Sequence, residues 1–177
     1  MTPSVPRRSL ALAPSLVACI LAAAGCRTSP GGSPSPSVTS KADAFAPDRD
    51  RPRFVPAPPG DVPTIVQAEA ARARADGRRL VVYEGARWCE PCVHFHDAVV
   101  RGELDAVFPR ISFLEFDADR DRDRLVGAGY GSEYIPLFAL PGVDGRAAGP
   151  KAAGGIKGDG AVPYVTRKLQ QLLTQGG

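Results

Sequence analysis

The sequence predicts an α/β domain with a central mixed sheet flanked by helices. After residue 61, segments of helical and strand character follow in the order helix, strand, helix, strand, helix, strand, strand, helix. A strand–helix–strand crossover produces parallel strands, whereas two strands joined by a short turn pair antiparallel. The alternation and the final two-strand turn together favour a mixed sheet that is covered by helices on both faces.

The first half of the domain is predicted to hold helices on either side of a strand. Thr64–Gln67 has the form of a capping box, and the Ala- and Arg-rich segment after it is a helix that Gly77 can end. Leu80–Glu84 is a short apolar run and predicts the first strand. The next helix is predicted over Cys89–Val100, and a further short helix over Glu103–Phe108.

The second half is predicted to complete the sheet. Ile111–Phe116 is rich in β-branched and aromatic residues and predicts the second strand, after which Arg120–Ala128 is a short helix. Ile135–Leu140 is the third strand, and a Pro-Gly turn returns the chain into a hairpin strand at Arg146–Ala148. The last helix covers about Val162–Thr174, with a proline tolerated in its first turn.

Residues 1–25 have the three-part pattern of a secretory signal. A basic pair at 7–8 precedes an apolar stretch at 10–24, which is shorter than the ~20 residues that a membrane-spanning helix needs. The segment Leu21–Cys26 resembles a bacterial lipoprotein box, in which the cysteine is acylated and becomes the first residue of the mature protein. The resemblance implies a lipid anchor on Cys26. An ordinary signal that is cleaved within this segment is the alternative.

Residues 26–60 are predicted to be a tether, and residues 61–177 the folded domain. The tether is rich in Pro, Ser, Gly and Ala and has no apolar periodicity, as is typical of an extended linker. The cysteine count agrees with an anchor. Cys19 leaves with the signal and Cys26 takes the lipid, so that Cys89 and Cys92 remain as a pair.

The charge balance gives no reason to expect nucleic acid as a partner. The chain has 22 Lys and Arg against 19 Asp and Glu, a formal net charge of +3, and two of the basic residues lie in the predicted signal. The run Asp117–Arg124 mixes both signs and is interpreted as a solvated turn and helix face. No function is assigned to it.

The most specific chemical motif is Cys89-Glu90-Pro91-Cys92. Two cysteines three residues apart at the start of a helix lie on one face, so one sulfur can attack a disulfide and the other can resolve the product. Unpaired N–H groups and the helix dipole stabilise a thiolate at this point, which makes Cys89 the predicted nucleophile and Cys92 the resolving thiol. The motif therefore predicts a dithiol/disulfide redox centre.

Trp88–Cys92, placed after the strand Leu80–Tyr83 and before Ile135–Pro136, resembles the thioredoxin family. The resemblance covers about Asp61–Thr174. It implies a thioredoxin fold and a thiol:disulfide oxidoreductase that exchanges disulfides with partner proteins. No cofactor is predicted.

The resemblance also implies a substrate-binding surface around the disulfide. Pro136 would be cis and would lie against the disulfide, and the backbone of Ile135 would pair with bound substrate. Gly155 fits the position of a glycine that lets substrate approach. Trp88 can offer an apolar ledge beside the sulfur, although a core tryptophan is its ordinary interpretation.

The chain departs from the family at the residue that assists the second cysteine. Thioredoxins carry a buried aspartate that helps transfer a proton to or from this cysteine, and the matching position here is Tyr83. Glu115, expected on the next strand, and Glu84, beside Tyr83, are the candidates for proton transfer. A solvent-facing or paired glutamate is the alternative for both.

The Glu90-Pro91 dipeptide resembles that of extracytoplasmic reductases that serve cytochrome c maturation, which favours a reductase of specific partners. The predicted partners are proteins with thiols or disulfides and an upstream electron donor or acceptor. The predicted location is extracytoplasmic and periplasmic, with attachment to a bacterial membrane through the lipid on Cys26.

Two other kinds of site are alternatives to the redox centre. A zinc or copper module could use Cys89 and Cys92 with His94 or His96, because thiolate and imidazole suit these metals. The two histidines point roughly 200° apart on a helix, so both cannot easily join one site, and no metal is assigned. A purely structural disulfide is disfavoured because a four-residue ring gains little from closure.

Overall fold

The computed structural model describes residues 46–176. The predicted signal, Cys26 and the tether up to residue 45 lie outside the described residues, so the lipid anchor stays a prediction. Within the part of the chain that is described, no helix is long and apolar enough to cross a membrane.

Helices and strands alternate along the described chain. The helices are α1 (Ala46–Asp50), α2 (Val62–Ala75), α3 (Glu90–Val100), α4 (Ala118–Gly127) and α5 (Ala161–Gln175). The strands are β1 (Arg53–Pro56), β2 (Arg79–Gly85), β3 (Ile111–Asp117), β4 (Leu137–Pro141) and β5 (Ala147–Ala153). From α2 onward, this order is the one that the sequence predicts.

The five strands form one mixed sheet in the order β1-β3-β2-β4-β5. Strands β1 and β2 run parallel to β3, whereas β4 runs antiparallel to both β2 and β5. The predicted α/β class, with a central mixed sheet flanked by helices, is confirmed.

The central strand β2 divides the core into two apolar layers because successive side chains of a strand point to opposite faces. Val81 lies in the first layer with Phe95 of α3 and Leu169 of α5. Val82 lies in the second layer with Leu125 of α4 and residues of α2. The sheet therefore separates α3 and α5 on one face from α2 and α4 on the other.

The predicted boundary between tether and domain, at residue 61, is too late in the chain, because β1 (residues 53–56) is part of the sheet. The strand pairs in parallel with β3, and the ring of Phe54 packs on the rings of Tyr83 and Phe113, with centroids 5.2 and 5.0 Å apart. Val55 packs against the second layer. The sequence gives little indication of β1, because its only two apolar residues lie between two prolines. Prolines are tolerated in an edge strand, and β1 is at the edge of the sheet.

The chain before β1 is held by a buried arginine. Arg78 is only 8% exposed, and its guanidinium donates to the backbone oxygens of Arg49 and Arg51 at 2.6 and 2.7 Å. The backbone N–H of Arg110 donates to the oxygen of Asp50 at 2.7 Å. The folded unit therefore includes residues 46–56, which the sequence assigns to the tether.

The start of α2 differs from the predicted capping box. Asp61 is the N-cap, and its carboxylate accepts hydrogen bonds from the backbone N–H and the hydroxyl of Thr64 at 3.0 and 2.7 Å. Thr64 therefore lies inside the helix that it was expected to cap. The predicted end is confirmed, because Gly77 has φ +67° and its N–H donates to the oxygen of Arg74.

Three further boundaries differ from the sequence prediction. Residues 103–108 form turns, since a segment this short between a glycine and a proline cannot propagate a helix. Strand β4 begins at Leu137 because Ile135 and Pro136 belong to the preceding loop. Strand β5 reaches Ala153, well beyond the predicted end at Ala148, because Gly149 and Pro150 are tolerated in an edge strand.

Candidate functional site

The N-terminus of α3 is built from the cysteine pair. Cys89 is the N-cap, with an extended backbone (φ −85°, ψ 100°), and it is disulfide-bonded to Cys92. Its Sγ accepts a hydrogen bond from the N–H of Cys92 at 3.3 Å. Pro91 lies in the first turn, where its missing N–H costs no helical hydrogen bond. The sequence prediction that the pair opens a helix is confirmed.

The two sulfurs differ in their surroundings. Cys89 is 5% exposed and stands at the end of the helix, whereas Cys92 is 2% exposed and lies within the first turn. The free N–H groups and the dipole of the helix favour negative charge on a capping atom. Both cysteines are buried, but a thiolate formed on reduction is better stabilised at Cys89, the N-cap, than at Cys92 inside the first turn.

Two loops meet the start of α3. The Ile135–Pro136 peptide bond is cis, as the resemblance implied, and the oxygen of Pro136 accepts a hydrogen bond from the N–H of Gly154 at 2.9 Å. A Cβ added at Gly155 would lie only 2.6 Å from the Cβ of Pro91, so only glycine fits there. The predicted residue Gly155 thus packs against Pro91 of the cysteine motif. Its neighbour Gly154 is hydrogen-bonded to Pro136.

Trp88 lies at the surface next to Cys89 and is 66% exposed. Its indole N–H donates to both carboxylate oxygens of Asp119, each at 3.0 Å. Asp119 stands in the first turn of α4, which the sequence assigned to a solvated face without function. The tryptophan is therefore a fixed surface side chain beside the disulfide and takes no part in the core.

A cavity of about 370 Å³ opens beside Cys92. Its lining includes Cys92, Tyr83, His96 and Glu115. Glu115 stands directly across from Tyr83 in the parallel register of β2 and β3, and its Oε1 lies 3.9 Å from Nε2 of His96. The His96 ring is stacked on Phe54 at 4.3 Å. Strand β1, which the sequence missed, therefore packs against one side chain of the cavity.

Tyr83 occupies the position where the resemblance implied an aspartate. Its phenol ring packs over Gly85, where an added Cβ would lie 2.7 Å from the ring carbon that carries the hydroxyl. The phenol therefore extends along β2 toward the end of the strand that leads to Trp88 and Cys89. Burial raises the pKa of Tyr83, and the nearby charge of Glu115 acts in the same direction. The hydroxyl therefore stays protonated at neutral pH and cannot act as the base that takes the proton of Cys92.

Glu84 lies on the opposite face of β2. It is 1% exposed, and neither of its carboxylate oxygens has a hydrogen-bond partner among the described residues. The nearest cation is Arg122, whose Nε lies 3.7 Å from Oε1. Burial raises the pKa of Glu84, Asp121 acts in the same direction, and Arg122 and Lys151 oppose it. The structure thus places Glu115, and not Glu84, in the cavity that Cys92 lines.

The alternative metal site of the sequence interpretation would join the cysteine pair to His94 or His96. Among residues 46–176, no group of three or more His, Cys, Asp or Glu side chains is arranged to hold a metal ion. His96 instead faces the Glu115 cavity.

Several residues around the site were not predicted from the sequence to belong to it. The Oε1 of Glu90 accepts a hydrogen bond from the N–H of Gly158 at 2.7 Å, and Asp119 holds Trp88. Tyr134 and Ile156 are large apolar side chains that are 66% and 44% exposed. No local signal reveals these contacts, because Glu90 and Gly158 are 68 residues apart.

No protein-family model matches the chain, and no curated protein matches it.

Proposed function

We propose that the protein is an extracytoplasmic thiol:disulfide oxidoreductase with a thioredoxin fold, which reduces specific partner proteins through Cys89 and Cys92. The observation that carries the proposal is the position of the pair, with Cys89 as the N-cap of α3 and Cys92 in the same turn. A helix N-terminus stabilises the thiolate that must act as nucleophile. A disulfide that closes so small a ring constrains the unfolded chain little, so stability alone explains it poorly.

The architecture supports the proposed fold. The sheet joins a parallel β2–β3 pair, linked through α3, to an antiparallel β4–β5 pair, and helices cover both faces. This arrangement is compatible with a thioredoxin-like fold. The cysteine motif stands where β2 delivers the chain to α3, at an end of the sheet that the loops before β4 and after β5 also reach.

The first step of the proposed reaction takes place at Cys89. In the reduced protein, its thiolate attacks one sulfur of a disulfide in the partner. A bond forms between Cys89 and that sulfur, the disulfide of the partner breaks, and the second partner sulfur leaves and takes up a proton. The proposed substrate-binding residues are Trp88, which precedes Cys89, Gly155, which packs on Pro91, and the backbone of Ile135 in the loop bonded to Gly154.

The second step takes place at Cys92. Its thiol loses a proton, and the resulting thiolate attacks the sulfur of Cys89, which releases the partner sulfur as a thiolate and restores the Cys89–Cys92 disulfide. The partner has gained two electrons, and an upstream dithiol donor must reduce the protein again. We assign Glu115 as the group that accepts the proton of Cys92, because both side chains line the same cavity.

The place and the partners of the protein belong to the same proposal. The signal pattern and Cys26 support export and a lipid anchor on a bacterial membrane, with residues up to 45 as a linker. The partners would be exported proteins with thiols or disulfides, and an electron donor on the same side of the membrane.

Trapping of mixed disulfides tests the proposal. Cys92→Ala in the full chain leaves Cys89 as a nucleophile without a resolving thiol, so partner proteins should accumulate on it as complexes that a reductant releases. Cys89→Ala is the matched control and should trap far fewer, because the remaining Cys92 lies inside the first turn and lacks the N-cap position that stabilises a thiolate. Equal and low recovery from both variants would contradict a role in disulfide exchange.

A further inference from the structure

The loop between β5 and α5, residues 154–160, is attached to both parts of the proposed site. It begins with the hydrogen bond from Gly154 N–H to the oxygen of Pro136, at 2.9 Å. One residue later, the backbone of Gly155 lies so close to Pro91 that no side chain would fit between them. The loop therefore bridges the Pro136 loop and the first turn of α3.

Glu90 provides a third attachment of this loop. Its side chain leaves the first residue of α3, and Oε1 accepts the N–H of Gly158 at 2.7 Å. Gly158 has φ +74°, a conformation that L-residues rarely adopt, so the loop is shaped to present this N–H. A charge-assisted hydrogen bond to a backbone N–H is about twice as strong as a neutral one.

The attached loop presents an apolar side chain at the rim of the site. Ile156, between the contacts to Pro91 and Glu90, is 44% exposed, and Trp88 and Tyr134 are each 66% exposed. A Cβ at Gly154 would lie 3.3 Å from the Cβ of Tyr134, so Tyr134 borders the start of the same loop. Large apolar residues exposed together around one site are typical of protein contact surfaces.

We propose that Glu90 is a positioning residue that ties the 154–160 loop to the redox centre and thereby selects partner segments with apolar residues next to their cysteine. Without the tie, the loop around Ile156 would lose its hydrogen bond to α3 and would keep the packing of Gly155 on Pro91 and the bond from Ala161 N–H to the oxygen of Gly158. The inference rests on the proposed disulfide exchange and adds the residue that shapes its contact surface.

Glu90 has a second effect that the experiment must separate from the first. Its carboxylate is one residue from Cys89 and disfavours a thiolate there, so loss of the charge should make the dithiol more acidic and the disulfide more oxidising. Glu90→Gln removes the charge but keeps an oxygen that can accept from Gly158. Glu90→Ala removes both the charge and the hydrogen bond.

The test compares two substrates with each full-length variant. Glutathione disulfide is small and polar and reports the chemistry of the sulfurs, whereas a disulfide-linked peptide dimer with leucine on each side of its cysteine also reports the contact surface. The ratio of the two rates should stay unchanged in Glu90→Gln and fall about fivefold in Glu90→Ala, the effect of about one lost hydrogen bond or apolar contact. Ile156→Ala should lower the ratio similarly, and its effect should not add to that of Glu90→Ala.

The outcomes separate this inference from the proposed function. A parent protein that exchanges with neither substrate contradicts the proposed function itself. A parent that exchanges with both, but whose ratio falls equally in Glu90→Gln and Glu90→Ala or in neither, overturns the role of Glu90 as the tie. Glu103→Ala, which removes an exposed carboxylate bonded to Arg101 just beyond the C-terminal end of α3, is the control for general effects of lost charge. Unfolding curves of all variants exclude loss of folding as the cause.

Discussion

At the scale of single residues, the two glutamates considered for proton transfer have opposite surroundings. Glu115 is partly exposed in the cavity that Cys92 lines, beside His96 and Tyr83. Glu84 is enclosed on the other face of the sheet without a hydrogen-bond partner among the described residues. Adjacent residues of a strand point to opposite faces of the sheet. Because Tyr83 points into the cavity, its neighbour Glu84 points away from it.

Glu115→Gln should slow the resolving step. The amide cannot accept the proton of Cys92, so the mixed disulfide between Cys89 and substrate should persist, with a rate loss of about tenfold or more near neutral pH. The loss should shrink as pH rises above about 8.5, where a thiol ionises unaided. Rapid acid quenching followed by mass spectrometry measures the intermediate. A variant with the parent pH profile would remove Glu115 from the mechanism, and Glu103→Gln is the control.

Glu84→Gln should stabilise the protein increasingly as pH rises. Burial raises the pKa of Glu84 in the folded protein above its ordinary value of 4.5, so the folded state holds this proton more tightly than the unfolded chain. The stability that the protonated carboxyl contributes is full below the unfolded pKa and is lost as pH rises through the folded pKa. Glutamine does not ionise, and the variant should gain about 1 kcal/mol over the parent at the upper end of this window.

Urea unfolding at a series of pH values between about 4 and 8 measures this difference. The two proteins should differ least at the lowest pH. Glu103→Gln is the matched control at an exposed position, and it should show no gain with rising pH, because its partner Arg101 lowers the pKa of Glu103. A gap between Glu84→Gln and the parent that is constant with pH would show that the carboxyl is not the cause.

At the scale of secondary-structure elements, β1 is the element that the sequence missed. Its apolar signal is two residues long, and its stability comes from partners distant in sequence, the neighbouring strand β3 and the ring of Tyr83. The elements that the sequence did predict, such as β2 and α3, carry longer apolar patterns of their own. Local sequence patterns therefore predict elements with a long apolar pattern of their own. They do not predict a short edge strand whose stability comes from contacts with distant residues.

Phe54→Ala should destabilise the protein by about 2–3 kcal/mol, somewhat less than a fully buried phenylalanine, because Phe54 is only partly buried. The lost contacts are those to Tyr83, Phe113 and His96. Val100→Ala on α3, where the side chain is 62% exposed, is the control and should change stability by at most about 0.5 kcal/mol. Denaturant unfolding measures both. A Phe54→Ala variant as stable as the parent would show that residues 53–56 belong to the tether and not to the folded domain.

At the scale of the whole molecule, the sequence predicted the class of fold and the central motif, but not the contacts that assemble the site. The order of elements from α2 to α5 and the place of Cys89 at a helix start follow from local patterns. The contact of Trp88 with Asp119 and that of Glu90 with Gly158 join distant segments. Such contacts depend on how helices and loops are placed around the sheet, which no local pattern specifies.

A redox titration of the purified protein in glutathione buffers tests the central claim most directly, with the fraction of the Cys89–Cys92 disulfide measured by alkylation and mass spectrometry. A reductase that uses this pair should show one reversible two-electron transition at a potential between about −300 and −200 mV. A potential below about −300 mV, as structural disulfides have, or one near −120 mV, as strong oxidants have, would contradict that claim.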